Sequence, residues 1–279
     1  MPELPEVETV CRTLREPLVG RRIESVEVFW PRTVEPTPVA EFISEVPGNG
    51  ITRVDRRAKL IVFELSGGGV LTTHLRMTGQ LLYRPAEAVK AAGRGNHLRV
   101  TFELDNGARL DFIDTRKFGR IRLLSLEDWE ARSAEFGPEP LEAEFDPETF
   151  YSMLRSVNRQ IKPLLLDQTF IAGIGNIYAD EALYAARIHP QKISSSISKK
   201  KARLLHDAIV DTLSSAIENA GTTFRDYRSG LGESGTNQSR LLVYGAAPGT
   251  ECARCGTPLR RIVVGQRGST ICPRCQRLN

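Results

Sequence analysis

The chain opens Met1-Pro2-Glu3-Leu4-Pro5-Glu6, a run in which an amine and two carboxylates stand close together. Removal of Met1 ahead of a small residue leaves proline with a free secondary amine. An α-amino group ionises far below a lysine, so an appreciable fraction is neutral at physiological pH. Such an amine can attack an electrophilic sugar carbon and form an iminium, which then serves as an electron sink for β-elimination of phosphate. Glu3 stands beside it, and Glu6 lies three residues on, on the same helix face. A carboxylic acid there can protonate a departing base or an opening ribose oxygen and take the proton back. The same residues also make a good helix start, with acidic side chains complementing the dipole, so the run by itself leaves both readings open.

A second constellation lies at the other end. Cys252-x-x-Cys255 and Cys272-x-x-Cys275 are separated by 16 residues, the ribbon spacing in which each pair clamps a tetrahedral zinc from one side. All four ligands are thiolates, which leaves no position for a reactive water, so one structural Zn2+ is expected. A hairpin this short cannot bury enough apolar surface to fold without it. Arg260, Arg261 and Arg267 sit on that hairpin, with Gly265-Gln266-Arg267-Gly268 expected at its tip, where charge-assisted hydrogen bonds to phosphate are available. The fifth cysteine, Cys11, falls on the apolar stripe of the first helical segment and reads as packing.

The elements that must hold these groups fall into two kinds. Residues 2–20 read as a helix, with Pro5 in its first turn and Gly20 ending it. From Arg22 to Leu126 come β-rich runs at 23–30, 50–55, 60–65, 69–75, 97–104, 109–113 and 120–124, separated by turns such as Asp105-Asn106-Gly107, which predicts an antiparallel sandwich or barrel. After a Gly-Pro-rich acidic stretch the periodicity turns helical, with helices expected near 147–157, 163–166, 176–186 and 199–220 and a long mobile loop over 221–235. Charge divides along the same line. Residues 151–279 carry 18 Lys+Arg against 9 Asp+Glu, while the first 150 carry 20 against 25, which points to a polyanion-binding second half. With 41% hydrophobic residues in 279 the chain can bury a real core. No apolar run approaches the roughly 20 residues of a bilayer span, so the expectation is a soluble intracellular protein without a membrane partner.

The motifs resemble the formamidopyrimidine-DNA glycosylase family from end to end. The resemblance is carried in order by Pro2-Glu3-Leu4-Pro5-Glu6-Val7-Glu8-Thr9, Arg56-Arg57-Ala58-Lys59, His74-Leu75-Arg76-Met77-Thr78-Gly79, Asp114-Thr115-Arg116-Lys117-Phe118-Gly119, Lys162 to Gln168, Gly173-Ile174-Gly175-Asn176, and the four cysteines. It implies an α+β fold: an N-terminal helix and antiparallel β-sandwich in a catalytic domain over 1–135, a linker at 136–147, a helix-two-turns-helix DNA-binding domain over 148–250 with a lesion-capping loop at 222–238, and a zinc finger at 251–279. It further implies Pro2 as nucleophile, Glu3 as acid, Glu6 in support and Lys59 at the damaged site. His74, Asn176 and Arg267 are implied to hold backbone phosphates, with Arg76 among the DNA-binding residues. Met77, Arg116 and Phe118 are implied to fill the gap left by an everted nucleotide; a thioether and a ring replace stacking, and a guanidinium hydrogen-bonds the orphaned base.

The activity so implied is a bifunctional glycosylase and abasic-site lyase on duplex DNA containing damaged bases or abasic sites. Oxidised purines such as 8-oxoguanine and formamidopyrimidines are the expected lesions, and the working form is a monomeric, cytoplasmic, nucleoid-associated bacterial protein. Two alternatives stand beside it: the endonuclease VIII type, which takes oxidised pyrimidines, and a zinc-dependent binder of damaged DNA that does not cut. Leu4 and the Val-Glu-Thr continuation favour the purine enzyme. One departure falls in the capping loop, where many relatives carry Tyr-Phe after a glycine and this chain has Thr236-Asn237.

Overall fold

The computed structural model describes residues 1–91, 95–247 and 249–278. They form two compact units, Met1–Glu135 with Asn219–Gln238, and Phe136–Glu218 with Ser239–Asn279. The segment 219–238 therefore packs with the first unit although it follows the helices of the second. The domain ranges expected from the sequence include residues 92–94, 248 and 279, which lie outside the described residues.

The first unit begins with helix α1 (Leu4–Leu18). Val7, Val10, Cys11, Leu14 and Leu18 fall on one stripe and are fully buried, as the 3.6-residue period requires. There follow β1 (Ile23–Val28), α2 (Val39–Glu45), β2 (Ile51–Arg57), β3 (Leu60–Leu65), β4 (Val70–His74), β5 (Gly79–Arg84), α3 (Ala86–Ala91), β6 (Leu98–Leu104), β7 (Arg109–Asp114), β8 (Arg120–Leu124) and α4 (Leu126–Ala134). The strands make two four-stranded antiparallel sheets, in the orders β1-β6-β7-β5 and β2-β3-β4-β8. Val100, Phe102 and Phe112 from one sheet meet Val54, Phe63, Leu71 and Ile121 from the other in one apolar core, to which α1 adds its buried stripe. This is the expected sandwich.

Strand β5 and helix α4 escaped the sequence reading for separate physical reasons. In β5, Leu81 and Leu82 are both buried, because segment 219–238 lies along this edge strand: Tyr83 N–H donates to the Gly230 carbonyl at 2.8 Å. Burial on both faces erases the period-two signal, and the cover protects an edge that would otherwise be open. Helix α4 buries no residue at all, so it has no apolar stripe to read. Its start was legible only in the Ser125 cap, whose hydroxyl accepts from Asp128 N–H at 3.0 Å.

The second unit carries α5 (Pro147–Arg155), α6 (Ile161–Leu166), α7 (Asn176–Ala185), α8 (Lys199–Glu218) and the hairpin β9 (Arg260–Val264) and β10 (Arg267–Ile271). Between α6 and α7 the chain makes two turns stitched by one side chain. Gln168 donates to the carbonyls of Leu166 and Ile174 at 3.0 and 2.9 Å and accepts from Gly173 N–H at 2.9 Å. The hairpin turn is only Gly265-Gln266, both at positive φ (53° and 62°), as a tight two-residue turn demands. Arg267 is thus the first residue of β10, one step down from the tip expected for it.

Candidate active site and nucleic-acid interface

In the first unit the N-terminus is fixed by carboxylates. Pro2, Glu3 and Glu6 are buried, while Met1 is exposed. Glu3 caps α1 in a reciprocal box with Glu6, whose Oε2 accepts from Glu3 N–H at 2.8 Å. The other oxygen of Glu6 accepts from Thr222 N–H at 2.7 Å, and the Tyr227 hydroxyl donates to the Glu6 carbonyl at 3.3 Å. One carboxylate therefore ties the start of α1 to segment 219–238. Asn237 closes this segment on itself, donating from its side chain to Thr222 Oγ1 at 2.9 Å and from its backbone to the Gly221 carbonyl. Gly230 N–H donates to Thr13 Oγ1. The stretch read as a mobile loop is fastened to α1 and β5 at Thr222, Tyr227 and Gly230, while residues 224–226 and 231–234 are exposed.

Lys59 lies in the two-residue turn between β2 and β3 and is largely buried. Arg56 holds this turn: it donates to the Ala58 carbonyl at 3.1 Å and pairs with Glu8 of α1 at 3.1 Å. Burial raises the Glu8 pKa, but a hydrogen bond from Arg12 and the charge of Arg56 outweigh it and leave the carboxyl below its usual range. The pair thus stays ionised, linking the helix of Glu3 and Glu6 to the turn of Lys59. Cys11 is packed as expected, its thiol donating to the Asp55 carbonyl, and burial pushes its pKa upward.

Two loops carry the residues expected to enter the duplex, and one carboxylate braces both. Asp114 is buried, and it accepts from Thr78 Oγ1 at 2.5 Å, Arg116 N–H at 3.1 Å and Gly119 N–H at 2.7 Å. Gly79 and Gly119 let the chains approach, since a Cβ at either would come within 2.4 Å of the Leu75 carbonyl or 2.3 Å of the Phe112 ring. On these anchored loops Met77 is 43% and Phe118 50% exposed, and the Arg116 guanidinium lies 4.8 Å over the Phe118 ring. Large apolar side chains held out in solvent by buried polar anchors are poised for a partner surface. Sequence reasoning quoted Asp114 and Thr78 without assigning them work. The available signal was an Asp followed within five residues by a glycine, a turn-bracing pattern.

His74 ends β4 half-buried, and Arg76 follows at φ 56°. Arg76 N–H donates to His74 Nδ1 at 3.0 Å. Burial, then the charges of Arg76, Lys59 and Arg132, push the imidazole down to about 3. It is therefore neutral, and with Nδ1 accepting, its proton sits on Nε2, a donor suited to a phosphate oxygen.

In the second unit Asn176 and Arg267 are set by one buried network. Asn176 Nδ2 donates to the Gly268 carbonyl at 3.3 Å, the residue after Arg267. Lys162, wholly buried, pairs with Asp180 at 2.7 Å and donates to the Gly268 carbonyl at 2.9 Å and to Ser269 Oγ at 2.5 Å. Glu181, the next residue of α7, accepts from the backbone N–H groups of Leu242, Val243 and Tyr244 at 2.7–2.9 Å. Gly265 packs against Pro163 so closely that a Cβ would meet its ring at 2.8 Å.

The four cysteine sulfurs all lie within 4.8 Å of one another. Separations of 4.0, 3.5 and 3.6 Å are resolved between Cys252 and Cys275, Cys255 and Cys272, and Cys255 and Cys275. Zn–S bonds of about 2.3 Å in a tetrahedron place sulfurs about 3.8 Å apart, so the donors fit one structural zinc. Tyr184 sets its hydroxyl 3.2 Å from Cys252 Sγ, the kind of outer contact that orients a ligand.

An α+β chain with a carboxylate-braced N-terminal segment, loops that hold apolar tips in solvent and a four-cysteine ribbon has the makings of a nucleic-acid enzyme. Three family models match it: formamidopyrimidine-DNA glycosylase N-terminal domain over residues 1–121, formamidopyrimidine-DNA glycosylase H2TH domain over 136–228, and the zinc finger found in FPG and IleRS over 249–278. The formamidopyrimidine-DNA glycosylase of Chloroflexus aurantiacus is 46% identical over 99% of this chain and 98% of its own length. That of Enterococcus faecalis is 42% identical over 100% and 98%. Among solved structures, Lactococcus lactis Fpg in complex with abasic-site DNA is 38% identical with a TM-score of 0.89, covering 99% of each chain. MutM in complex with carbocyclic 8-oxo-G DNA scores 0.90 at 38% identity, over 99% of this chain and 100% of that one. The chain belongs to the formamidopyrimidine-DNA glycosylase family. Among the described residues no helix is long and apolar enough to cross a membrane.

Proposed function

We infer that this protein is a bifunctional DNA glycosylase and abasic-site lyase that removes oxidised purines, 8-oxoguanine and formamidopyrimidines, from duplex DNA. The observation that carries the reading is the braced N-terminus: Pro2 beside a Glu3–Glu6 box, linked through Glu8 and Arg56 to the turn of Lys59. Once Met1 is removed, the Pro2 nitrogen attacks C1′ of the everted nucleotide and displaces the base. Glu3 supplies the proton that opens the sugar, and Glu6 holds Glu3 in place. The resulting iminium acidifies the neighbouring carbon, and β-elimination expels the 3′ phosphate. The target nucleotide has to leave the stack because its glycosidic carbon is otherwise beyond reach. Met77, Arg116 and Phe118 fill the vacated space, while His74, Lys59, Asn176 and Arg267 hold the backbone and Arg76 adds positive charge beside His74. In this division of labour residues 1–135 form the chemical domain, 148–250 the helical DNA-binding domain and 251–279 the finger. Segment 222–238 covers the everted base, and the protein works as a monomer in the bacterial cytoplasm at the nucleoid.

Borohydride trapping tests the reading. Protein with Pro2 freed, as checked by intact mass, forms a covalent adduct with an abasic duplex. Insertion of one alanine ahead of Pro2 abolishes the adduct, and Glu3→Gln lowers base release by about 10²–10⁴-fold. Undiminished strand scission by the insertion variant defeats the mechanism. Preferential release of oxidised pyrimidines would favour the endonuclease VIII reading instead.

A further inference from the structure

Behind His74 and Arg76 lies a recess whose other arginines the mechanism does not use. The outer face of the β2-β3-β4-β8 sheet presents Thr72 and His74 opposite Arg122 and Arg120, their partners in the β4–β8 register. Helix α4 crosses that side and returns Arg132 to it, so that Thr72, His74, Arg76, Arg120, Arg122 and Arg132 line one small cavity. The end of α4 is fastened by Arg57, whose guanidinium donates to Ser133 Oγ and to the Ser133 carbonyl. The recess thus continues the wall that carries Lys59.

Its charge is one-sided. Among the described residues, no carboxylate pairs with Arg76, Arg120, Arg122 or Arg132. Arg120 spends one nitrogen on the carbonyls of Lys117, Phe118 and Gly119, whereas the Arg132 Nε is buried with no hydrogen-bond partner. Burial, then the charges of Arg132, Arg120 and Arg76, depress the Arg122 pKa. Burying like charges together opposes folding, and partly buried arginines are ordinarily paired. Arginines lining one recess without a carboxylate match one chemical class of ligand, a tetrahedral oxyanion.

We propose that Arg122 and Arg132, with His74 and Arg76 at the rim, form an anion site that holds one phosphate group, supplied by the DNA backbone or by free phosphate. The DNA source rests on the glycosylase reading above; the free source does not. Two measurements on the full-length zinc-loaded protein separate them. In the first, affinity for a duplex bearing a non-cleavable abasic analogue is followed across a salt series. If DNA supplies the phosphate, Arg122→Gln and Arg132→Gln each reduce the slope of log K against log salt by about one, and Arg122→Lys, which keeps the charge, retains it. In the second, the DNA-free protein is melted in inorganic phosphate against chloride of matched ionic strength. If free phosphate binds, the wild type gains thermal stability that both Gln variants lack. Either shift supports the site and names its source. Unchanged slopes together with no phosphate-dependent stabilisation overturn it. Borohydride trapping by the same wild-type preparation keeps the readings apart, because a protein that traps abasic DNA but shows neither shift sinks this proposal alone.

Discussion

The sandwich and the finger do the same mechanical work by opposite means. In the first unit, functional side chains hang from a core of some two dozen buried residues contributed mainly by eight strands and two helices, and backbone hydrogen bonds to buried carboxylates only trim their aim. In the second, Arg267 is carried by a two-stranded hairpin beside an apolar cluster of only five buried residues, Tyr184 of α7, Val243, Cys252, Leu259 and Cys272. A sheet that small lacks the area to order itself. Its rigidity comes instead from four thiolates and from Lys162, which reaches it out of α6. Apolar area tolerates local damage because it is spread over many residues. Coordination and ion pairs concentrate the same stabilisation in a few atoms, so their loss is abrupt.

Metal removal should expose this contrast most strongly. Structural zinc in small fingers contributes about 10–16 kcal/mol of apparent binding free energy, so chelation, or Cys272→Ser, is expected to unfold the hairpin and cost most of the affinity for abasic duplex. The β-sandwich should keep its melting transition, as calorimetry before and after chelation can show. A sandwich that melts along with the finger would mean the two units are not separately stabilised.

Lys162→Met comes next. Removing one partner strands a buried charge, at a cost of about 3–5 kcal/mol, and also cuts two bonds to Gly268 and Ser269. Pairing it with Asp180→Leu should recover much of the melting temperature, because the orphaned carboxylate goes too, yet DNA affinity should stay low, since the carbonyl beside Arg267 keeps only its longer bond from Asn176. Full recovery of both would show that Lys162 serves stability alone. In the first unit Asp114→Ala is milder, about 1–3 kcal/mol for the stranded donors. It loosens the Met77 and Phe118 loops while the core beneath survives, and the expected readout is weaker discrimination of the opposite base with a melting temperature lowered by about 2–4 °C per kcal/mol lost.

How much of this was legible in the sequence follows from the same contrast. The zinc ligands were plain because thiolate geometry enforces a spacing in sequence. The stripe of α1 and most strands were plain because one face is wet and the other dry. Strand β5 was hidden because the residues covering its outer side lie some 150 positions downstream, and α4 because it buries nothing. Lys162 was quoted only as the start of a motif, without a role; its partners Asp180, Gly268 and Ser269 are adjacent only after folding. The Arg122–Arg132 recess is of the same sort, since no spacing rule joins alternate residues of a strand to the far end of the following helix. Asn237 shows the reverse case: a residue noted as a departure within the loop turns out to close that loop, through Thr222 and Gly221.

The smallest expected effect concerns protons. A free imidazole titrates near neutrality, but burial, then the charges of Arg76, Lys59 and Arg132, push His74 down to about 3. Below pH 6.5 the unfolded chain takes up a proton that the folded chain refuses until pH nears 3. This site therefore favours folding fully above pH 6.5 and loses that contribution as pH falls through the interval. Between pH 5 and 8 the imidazole of the folded, DNA-free protein stays neutral, so its ring carbon resonances should not move. A midpoint near 6.5 would mean that burial does not govern this side chain and that the neighbouring arginines are already neutralised by something else. Bound phosphate does that job in the proposed recess, which makes the prediction sharper: adding DNA should raise the His74 pKa from its low value, because an anion beside Arg76 and Arg132 relieves the repulsion they exert on the imidazolium.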